Sequence, residues 1–163
     1  MRFAEAKLND GQRLLAFNDL FIGASSHISA RYKISFEDKK EEHSSSGLIV
    51  STPAGSTGWL SSVFNMAYGL TGQFEKNLIP KQPDLDPDQL LFAVREPFQS
   101  IRTQTGIIAG IIDHKNPLTI ESLMPTSGII FSDGIEADFL KFNSGAIATI
   151  GLAPESAILV TKV

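Results

Sequence analysis

Residues 46–70 constrain the fold more than any other stretch of this chain, because they carry the signals of a strand, a loop and a helix in succession. Residues 48–50, Leu-Ile-Val, form an aliphatic, largely β-branched run that predicts a strand. Residues 52–58, Thr-Pro-Ala-Gly-Ser-Thr-Gly, predict a loop of small residues. Within that loop, Gly55 and Gly58 allow the backbone to turn sharply or to approach a ligand closely.

A helix is predicted directly after this loop. Ser56 and Thr57 are suitable N-caps, and Gly69 and Gly72 predict the end of the helix. Free backbone N–H groups and the positive end of the helix dipole would attract an anion, phosphate above all. The equal alternative is that the glycines only let the helix pack against the strand. Apolar residues recur at the spacing of one helix face, at Trp59, Leu60, Val63, Phe64, Ala67 and Leu70.

Length and composition indicate one soluble domain. A chain of about 150 residues buries about 68–70% of its unfolded surface, so the 163 residues can form a full core. A net charge of −4 argues against nucleic acid and anionic membranes as partners. The absence of cysteine excludes disulfides, thiolate metal sites and cysteine nucleophiles, and we expect a cytoplasmic setting. Residues 106–112 form the longest apolar run, which is too short to span a bilayer, and the N-terminus does not have the form of a signal peptide.

The N-terminal part predicts a hairpin with a polar pair in its second strand. Asn9-Asp10-Gly11 is a hairpin turn signal between strands over 2–8 and 13–22. The second strand contains Asn18 and Asp19 within an apolar run. A buried polar group without a partner costs about 1–3 kcal/mol. These two side chains therefore either pair within the fold or face a ligand, and both alternatives stay open.

Three further segments follow in the first half and just beyond it. Alternation over 31–37 predicts a half-exposed strand. The mixed charges of 37–43, followed by three serines, predict a solvated turn or loop. Residues 73–89, with three prolines, predict a long loop that covers a site, contacts a neighbour or is a plain surface excursion.

The second half predicts a mainly-β domain, a β-sandwich with one principal helix after the Gly-rich loop. Short strand-like runs are separated by turn signals that include Asp133-Gly134, Asn143-Ser144-Gly145 and Ala153-Pro154. Because 106–112 is apolar at nearly every position, we expect it to be buried on both faces. The predicted strands cover 90–95, 106–112, 118–122, 128–132, 135–142, 146–150 and 157–163.

Other chemistry-bearing residues give no legible catalytic or metal site. Arg95 and Glu96 form either a surface pair or part of a site. Asp133 is catalytic, ligand-binding or simply part of a hairpin turn. No metal site and no Ser/His/Asp arrangement is indicated by the spacing of His27, His43 and His114.

Three segments taken together resemble the C-terminal half of NAD kinases. They are 17–22 (Phe-Asn-Asp-Leu-Phe-Ile), 47–59 (Gly-Leu-Ile-Val-Ser-Thr-Pro-Ala-Gly-Ser-Thr-Gly-Trp) and 131–134 (Phe-Ser-Asp-Gly). In that family an Asn-Glu pair on a strand precedes a Gly-Leu segment ending in Ser-Thr-Pro-Thr-Gly-Ser-Thr-Ala-Tyr, and an Asp-Gly follows in the closing strands. The variants at 21–23 and 45–48 look most like the divergent branch that includes the mitochondrial-type NAD kinase.

The resemblance implies a β-sandwich domain that binds NAD as a substrate for phosphorylation of its adenosine 2′-hydroxyl, giving NADP. By position, Asn18 and Asp19 would hydrogen-bond the adenine-ribose side, and Trp59 would form a stacking wall. ATP and Mg²⁺ are expected only with the other half of such an enzyme, and self-association is expected. The implied binding residues are Asn18, Asp19, Gly55, Ser56, Thr57, Gly58 and Trp59.

The sequence departs from the family pattern at four positions. Asp19 stands for the usual Glu, Ser46 for an Asp, Ala54 for a Thr, and Phe98 for a Pro-His, and each change shortens or removes a polar group.

The Gly-Gly-Asp-Gly motif of the family's N-terminal α/β half is also missing, since the chain contains no Gly-Gly pair. We therefore expect residues 1–163 to be a single NAD-binding domain without that half and with negligible kinase activity alone. Two alternatives remain: a C-terminal domain of the diacylglycerol, sphingosine or sugar-kinase-like group, and a non-catalytic nucleotide-sensing or interaction module. Asn18 together with 55–57 favours the NAD kinase interpretation over the lipid or sugar kinase.

Overall fold

The computed structural model describes residues 1–74 and 81–158. Within these ranges lie twelve strands, one α-helix and a short 3₁₀ helix (Gly55–Thr57). The helix is α1 (Trp59–Phe74), and the strands are β1 (Arg2–Leu8), β2 (Arg13–Ala16), β3 (Asp19–Ala24), β4 (Ala30–Phe36), β5 (Lys39–Ser45), β6 (Leu48–Ser51), β7 (Leu90–Val94), β8 (Ala109–Ile112), β9 (Leu118–Ser122), β10 (Gly128–Ser132), β11 (Ile135–Lys141) and β12 (Ile147–Ser156).

The strands form two six-stranded antiparallel sheets, as the mainly-β prediction requires. The first sheet has the order β2-β1-β12-β9-β4-β5, and the second has the order β11-β10-β3-β6-β7-β8. Alternate residues from both sheets form the main core, with Leu20, Ile22 and Phe92 from the second sheet and Tyr32 and Ile34 from the first. The mainly-β fold class is therefore confirmed.

Helix α1 covers part of the outer face of the second sheet. Phe21, Ile49 and Leu91 point away from the main core and form a second apolar cluster with Leu60 of the helix. Strands β6 and β7 are consequently buried at every position. Residues 48–50 are all apolar because both faces of the strand are covered.

The predicted strand over 13–22 is in fact two strands in different sheets. Strand β2 pairs with β1 in the first sheet, and β3 pairs with β6 and β10 in the second. The hairpin turn at residues 9–11 is confirmed. The break falls at Phe17 and Asn18, so Asn18 lies where the chain crosses between the sheets and Asp19 is the first residue of β3.

The charged segment 37–43 was predicted to be a solvated turn or loop, which is correct for residues 37–38 and wrong for residues 39–43. It contributes most of β5, which pairs with β4 from Ala30↔Ser45 to Phe36↔Lys39. Strand β5 lies at the edge of the first sheet, where charged side chains remain hydrated and discourage pairing with other chains. His43 is the exception, because it is fully buried with Nε2 2.9 Å from the Glu41 carboxylate.

The prediction that 106–112 is buried on both faces is also wrong. The strand in this region is β8, an edge strand whose Ile111 is 38% exposed and whose Ile112 is fully buried. Strand β12 runs through the predicted turn at Ala153-Pro154. Pro154 is tolerated there because the pairing of β1 with β12 shifts register between Ala4 and Arg2, at a bulge.

The helix and loop boundaries differ from the prediction in two further ways. Gly69 and Gly72 lie inside α1, which continues to Phe74, and a Cβ on either glycine would meet nothing within 4 Å. Of the predicted loop over 73–89, residues 75–80 lie outside the described residues, and 81–88 form no regular element. Most of the predicted strand over 157–163 also lies outside them. None of the described helices is long and apolar enough to cross a membrane.

Candidate functional site

The crossing between the sheets brings Asn18 and Asp19 against the Gly-rich loop. The N–H of Thr52 donates to the carbonyl of Asn18 at 2.9 Å, and the Thr52 hydroxyl donates to the carbonyl of Phe17 at 2.6 Å. A Cβ on Gly55 would stand 2.7 Å from the carbonyl carbon of Asn18 and 2.8 Å from Oδ1 of Asp19. Glycine is therefore required at 55 by this close approach, although its backbone conformation is not left-handed.

The loop then forms a 3₁₀ turn that leads directly into α1. The Thr52 hydroxyl accepts the N–H groups of Ala54 and Gly55 at 3.2 and 3.3 Å. Gly58 acts as the N-cap of α1, because its carbonyl accepts the N–H of Ser62 at 3.3 Å.

Ser56 and Thr57 are not N-caps, since both lie inside the 3₁₀ turn. The Ser56 hydroxyl donates to the carbonyl of Pro53 at 2.8 Å. Its own carbonyl accepts from the Gln82 side chain at 2.7 Å, which ties the following loop to the turn.

Asp19 is a half-buried carboxylate with unused hydrogen-bonding capacity. Its Oδ1 is buried and has no hydrogen-bond partner among the described residues. Desolvation raises the pKa of Asp19, the nearby Ser51 hydroxyl lowers it, and the negative charge of Asp133 raises it again. This carboxylate is therefore held in a setting that does not fully satisfy it.

Trp59 belongs to an aromatic stack on the outer face of the second sheet. Its ring lies nearly parallel to that of Phe21, with centroids 5.5 Å apart, and Phe21 stacks on Phe131 at 4.9 Å. The guanidinium carbon of Arg95 lies over the Trp59 ring, 5.1 Å from its centroid. A ligand that stacks on Trp59 at that position must displace Arg95.

A cleft of about 820 Å³ opens beside this stack. That volume falls within the range of about 300–1,000 Å³ that is usual for small-molecule sites. Glu96, whose φ of 49° is in the left-handed region, accepts a hydrogen bond from the Ser46 hydroxyl at the cleft wall. The lining residues are Phe21, Ala24, Ser25, Ser26, His27, Ile28, Ser29, Ser46, Trp59, Arg95, Glu96, Ile129, Phe131 and Glu136.

The structure thus places six of the seven predicted binding residues at the contact between the crossing and the Gly-rich loop, and the seventh, Trp59, in the wall of the cleft. Asn18 and Asp19 touch Gly55, while Trp59 lines the cleft; Asn18, Asp19 and residues 55–58 do not line it. No role was predicted for Phe21 and Phe131, which lie in segments 17–22 and 131–134 as apolar strand residues, or for the 25–29 loop, where nothing local marks a site.

At Ser46, where the resembled family has an Asp, the structure places a carboxylate from another residue nearby. The carboxylate that the resembled family carries at this position is absent, yet the carboxylate of Glu96 lies beside the Ser46 hydroxyl. Phe98 is 63% exposed and does not line the cleft. The described residues contain no group of three or more His, Asp or Glu side chains that could hold a metal ion.

No protein-family model and no curated protein sequence matches this chain. The solved structures that match its fold include two kinases. The yeast NADH kinase complexed with NADH aligns with a TM-score of 0.64 and 17% identity over 93% of this chain and 40% of its own. The Archaeoglobus fulgidus NAD kinase in complex with ATP aligns with a TM-score of 0.59 and 16% identity over 94% of this chain and 52% of its own.

The described residues therefore form a two-sheet, mainly-β domain with one helix on its outer face. This fold is similar to the C-terminal domain of NAD kinases. The chain spans roughly half or less of the length of the two kinases that it matches.

Proposed function

We propose that this chain binds NAD, NADH or a related adenine nucleotide as the nucleotide-binding part of an NAD kinase-like enzyme. In such an enzyme the adenosine 2′-hydroxyl of NAD receives the phosphoryl group, giving NADP. The observation that carries the proposal is the close contact of Gly55 with Asn18 and Asp19, next in the chain to Trp59 and its cleft.

The polar groups at this contact suit a nucleoside. The side-chain amide of Asn18 makes no hydrogen bond to any of the described residues, so its donor and acceptor are both available to a ligand. Asp19 has an unpartnered Oδ1, which is buried against Gly55 and would become an acceptor for a ligand once the loop moves aside. A ribose diol and a purine edge need this combination of donors and acceptors within a small area.

The cleft supplies the features that the rest of a dinucleotide needs. Trp59, backed by Phe21, would offer an aromatic face for a planar ring once Arg95 moves aside. Arg95 brings a permanent positive charge to the same place, and guanidinium groups bind phosphate oxygens in pairs. Because the chain has a net charge of −4, a phosphate would be attracted by a local positive charge such as Arg95 rather than by the protein as a whole.

We further propose that residues 1–163 have negligible kinase activity by themselves. Phosphoryl transfer needs positioned phosphates, a metal ion and a group that orients the hydroxyl. The Gly-Gly-Asp-Gly motif of the resembled family has no counterpart in this sequence. ATP and Mg²⁺ would act only together with residues of that other half.

Self-association is also part of the proposal. Helix α1 contains no charged residue, and it leaves Met66, Tyr68, Leu70 and Phe74 between 47% and 81% exposed. Exposed apolar surface of this kind is typical of interfaces. Light scattering coupled to size exclusion tests it: a mass of at least 35 kDa, twice the 17.7 kDa chain, is expected, and a monomer at high concentration contradicts it.

Thermal unfolding in the presence of nucleotides tests the binding proposal. A ligand at 100 times its dissociation constant adds about 2.7 kcal/mol to the free energy of unfolding. We expect millimolar NAD or NADH to raise the midpoint, and an equimolar concentration of free nicotinamide to leave it unchanged. A folded protein whose midpoint responds to none of NAD, NADH and ATP would contradict the proposal.

A further inference from the structure

The chain passes from the first sheet to the second through Phe17 and Asn18. Ala16 is the last residue of β2 paired with β1, and Asp19 is the first residue of β3 paired with β6. The backbone groups of the two crossing residues therefore lie outside both ladders. Buried or half-buried N–H and C=O groups need partners, so something else must supply them here.

The carboxylate of Asp133 is that partner on the N–H side of the crossing. Its Oδ2 accepts the N–H of Phe17 at 2.9 Å, and its Oδ1 accepts those of Asn18 at 2.6 Å and Asp19 at 3.1 Å. The N–H of Asp133 donates to the carbonyl of Asp19 at 2.9 Å. Four hydrogen bonds thus join one residue to three consecutive residues from a distant part of the chain.

Thr52 holds the carbonyl side of the same crossing. Its N–H and hydroxyl donate to the carbonyls of Asn18 and Phe17, and the hydroxyl also accepts the N–H groups of Ala54 and Gly55. The crossing is therefore fixed between the Asp133 carboxylate and the Gly-rich loop. Any movement of the Asp133 side would change how Asn18 and Asp19 face Gly55.

The turn containing Asp133 does not by itself require a carboxylate. Asp133 and Gly134 have φ values of 52° and 73° and connect the paired residues Ser132 and Ile135. In such two-residue turns Asn-Gly serves as well as Asp-Gly. An Asn at 133 would have one acceptor oxygen for the three N–H groups and would point an N–H₂ donor at the others. The presence of Asp is therefore explained by the crossing rather than by the turn.

We propose that Asp133 is a positioning residue for nucleotide binding. It contacts no ligand itself, and it fixes the backbone of residues 17–19 so that the carbonyl of Asn18 and Oδ1 of Asp19 stay against Gly55. Charge-assisted hydrogen bonds are short and strong, which suits this role. The ligand-binding consequence rests on the proposed function, while the positioning itself does not.

Asp133→Asn and the matched control Asp113→Asn test the proposal. Asp113 also accepts two backbone N–H groups, from Lys115 at 2.8 Å and Asn116 at 2.9 Å, but it follows β8 at the other edge of the second sheet. We expect D133N to weaken NAD binding at least about tenfold, which is about 1.4 kcal/mol, with D113N unchanged. Equal affinity of D133N and wild type, or an equal loss in D113N, would overturn the proposal.

Amide hydrogen exchange of the wild type and of D133N separates this result from failure of the proposed function. The N–H groups of Phe17, Asn18 and Asp19 should exchange slowly in the wild type and at least about tenfold faster in D133N. If no nucleotide binds the wild type, the proposed function fails, and the exchange rates alone then show whether Asp133 fixes the backbone of residues 17–19. If D133N does not fold, the hydrogen bond is tested in the wild type alone. A scalar coupling between the Asn18 amide nitrogen and the Asp133 carboxyl carbon would show that this bond forms. Unprotected amides, or the absence of that coupling, would overturn the positioning role.

Discussion

The guanidinium of Arg95 lies over the indole ring of Trp59, with the guanidinium carbon 5.1 Å from the ring centroid. Arg95 follows the end of β7, Trp59 begins α1, and both line the cleft on the outer face of the second sheet. A permanent positive charge and an aromatic face therefore meet at one point. This pair connects the predicted stacking residue to Arg95, the group that we propose would bind a phosphate.

Replacing Arg95 with Met should weaken nucleotide binding and make it less sensitive to salt. The change keeps an unbranched apolar side chain and removes the guanidinium with its charge, so we expect NAD affinity to fall about threefold to tenfold. Calorimetric titration at low and high ionic strength measures both effects, because screening reduces only the charged contribution. Arg102→Met is the matched control, since Arg102 is exposed and does not line the cleft. Equal losses in the two variants would show that Arg95 acts only through net charge.

Alanine at Gly55 should destabilise the protein, whereas alanine at Gly69 should not. At Gly55 the added methyl group would meet the backbone of Asn18, so we expect a loss of about 1–3 kcal/mol in the free energy of unfolding. At Gly69 it meets nothing within 4 Å inside α1, and we expect a gain of about 0.5–1 kcal/mol. Urea unfolding of both variants measures the difference. A tolerated Gly55→Ala would mean that the loop does not press against the crossing.

Asp19→Asn should raise stability at neutral pH and lower nucleotide affinity. The pKa of Asp19 lies above its usual 3.8, chiefly through desolvation, so its ionised form opposes folding. Its favourable contribution is present below pH 3.8 and is lost as pH rises through the raised pKa. The excess stability of D19N over the wild type should therefore grow as pH rises from 3 to 7. An excess that shrinks over this range would contradict the assignment.

The turns and most strands were predictable because their signals are local. Asn9-Asp10-Gly11 and Asp133-Gly134 are hairpin turns in the structure, and their chemistry is contained within two or three residues. The strand at residues 48–51 was likewise visible as an aliphatic run.

The features that were missed depend on distant residues. The crossing at Phe17 is invisible locally, because the groups that stabilise it come from Asp133 and Thr52. Strand β5 was not predicted because most of its residues are charged or polar. Its pairing with β4, rather than a hydrophobic pattern, places it in a sheet. The cleft was missed because its walls come from loops and strands far apart in sequence, with Trp59 as the shared residue.

The most direct measurement is calorimetric titration of NAD into the wild type and into Asn18→Ala. Because the Asn18 side chain has no hydrogen-bond partner among the described residues, the substitution should change the free energy of unfolding by no more than about 0.5 kcal/mol. We predict measurable NAD binding by the wild type and at least a tenfold loss, about 1.4 kcal/mol or more, in the variant. Thr57→Ala, in the Gly-rich loop that contacts Asn18 through Gly55, should also lose binding. Undiminished binding by Asn18→Ala would place the nucleotide elsewhere and contradict the account.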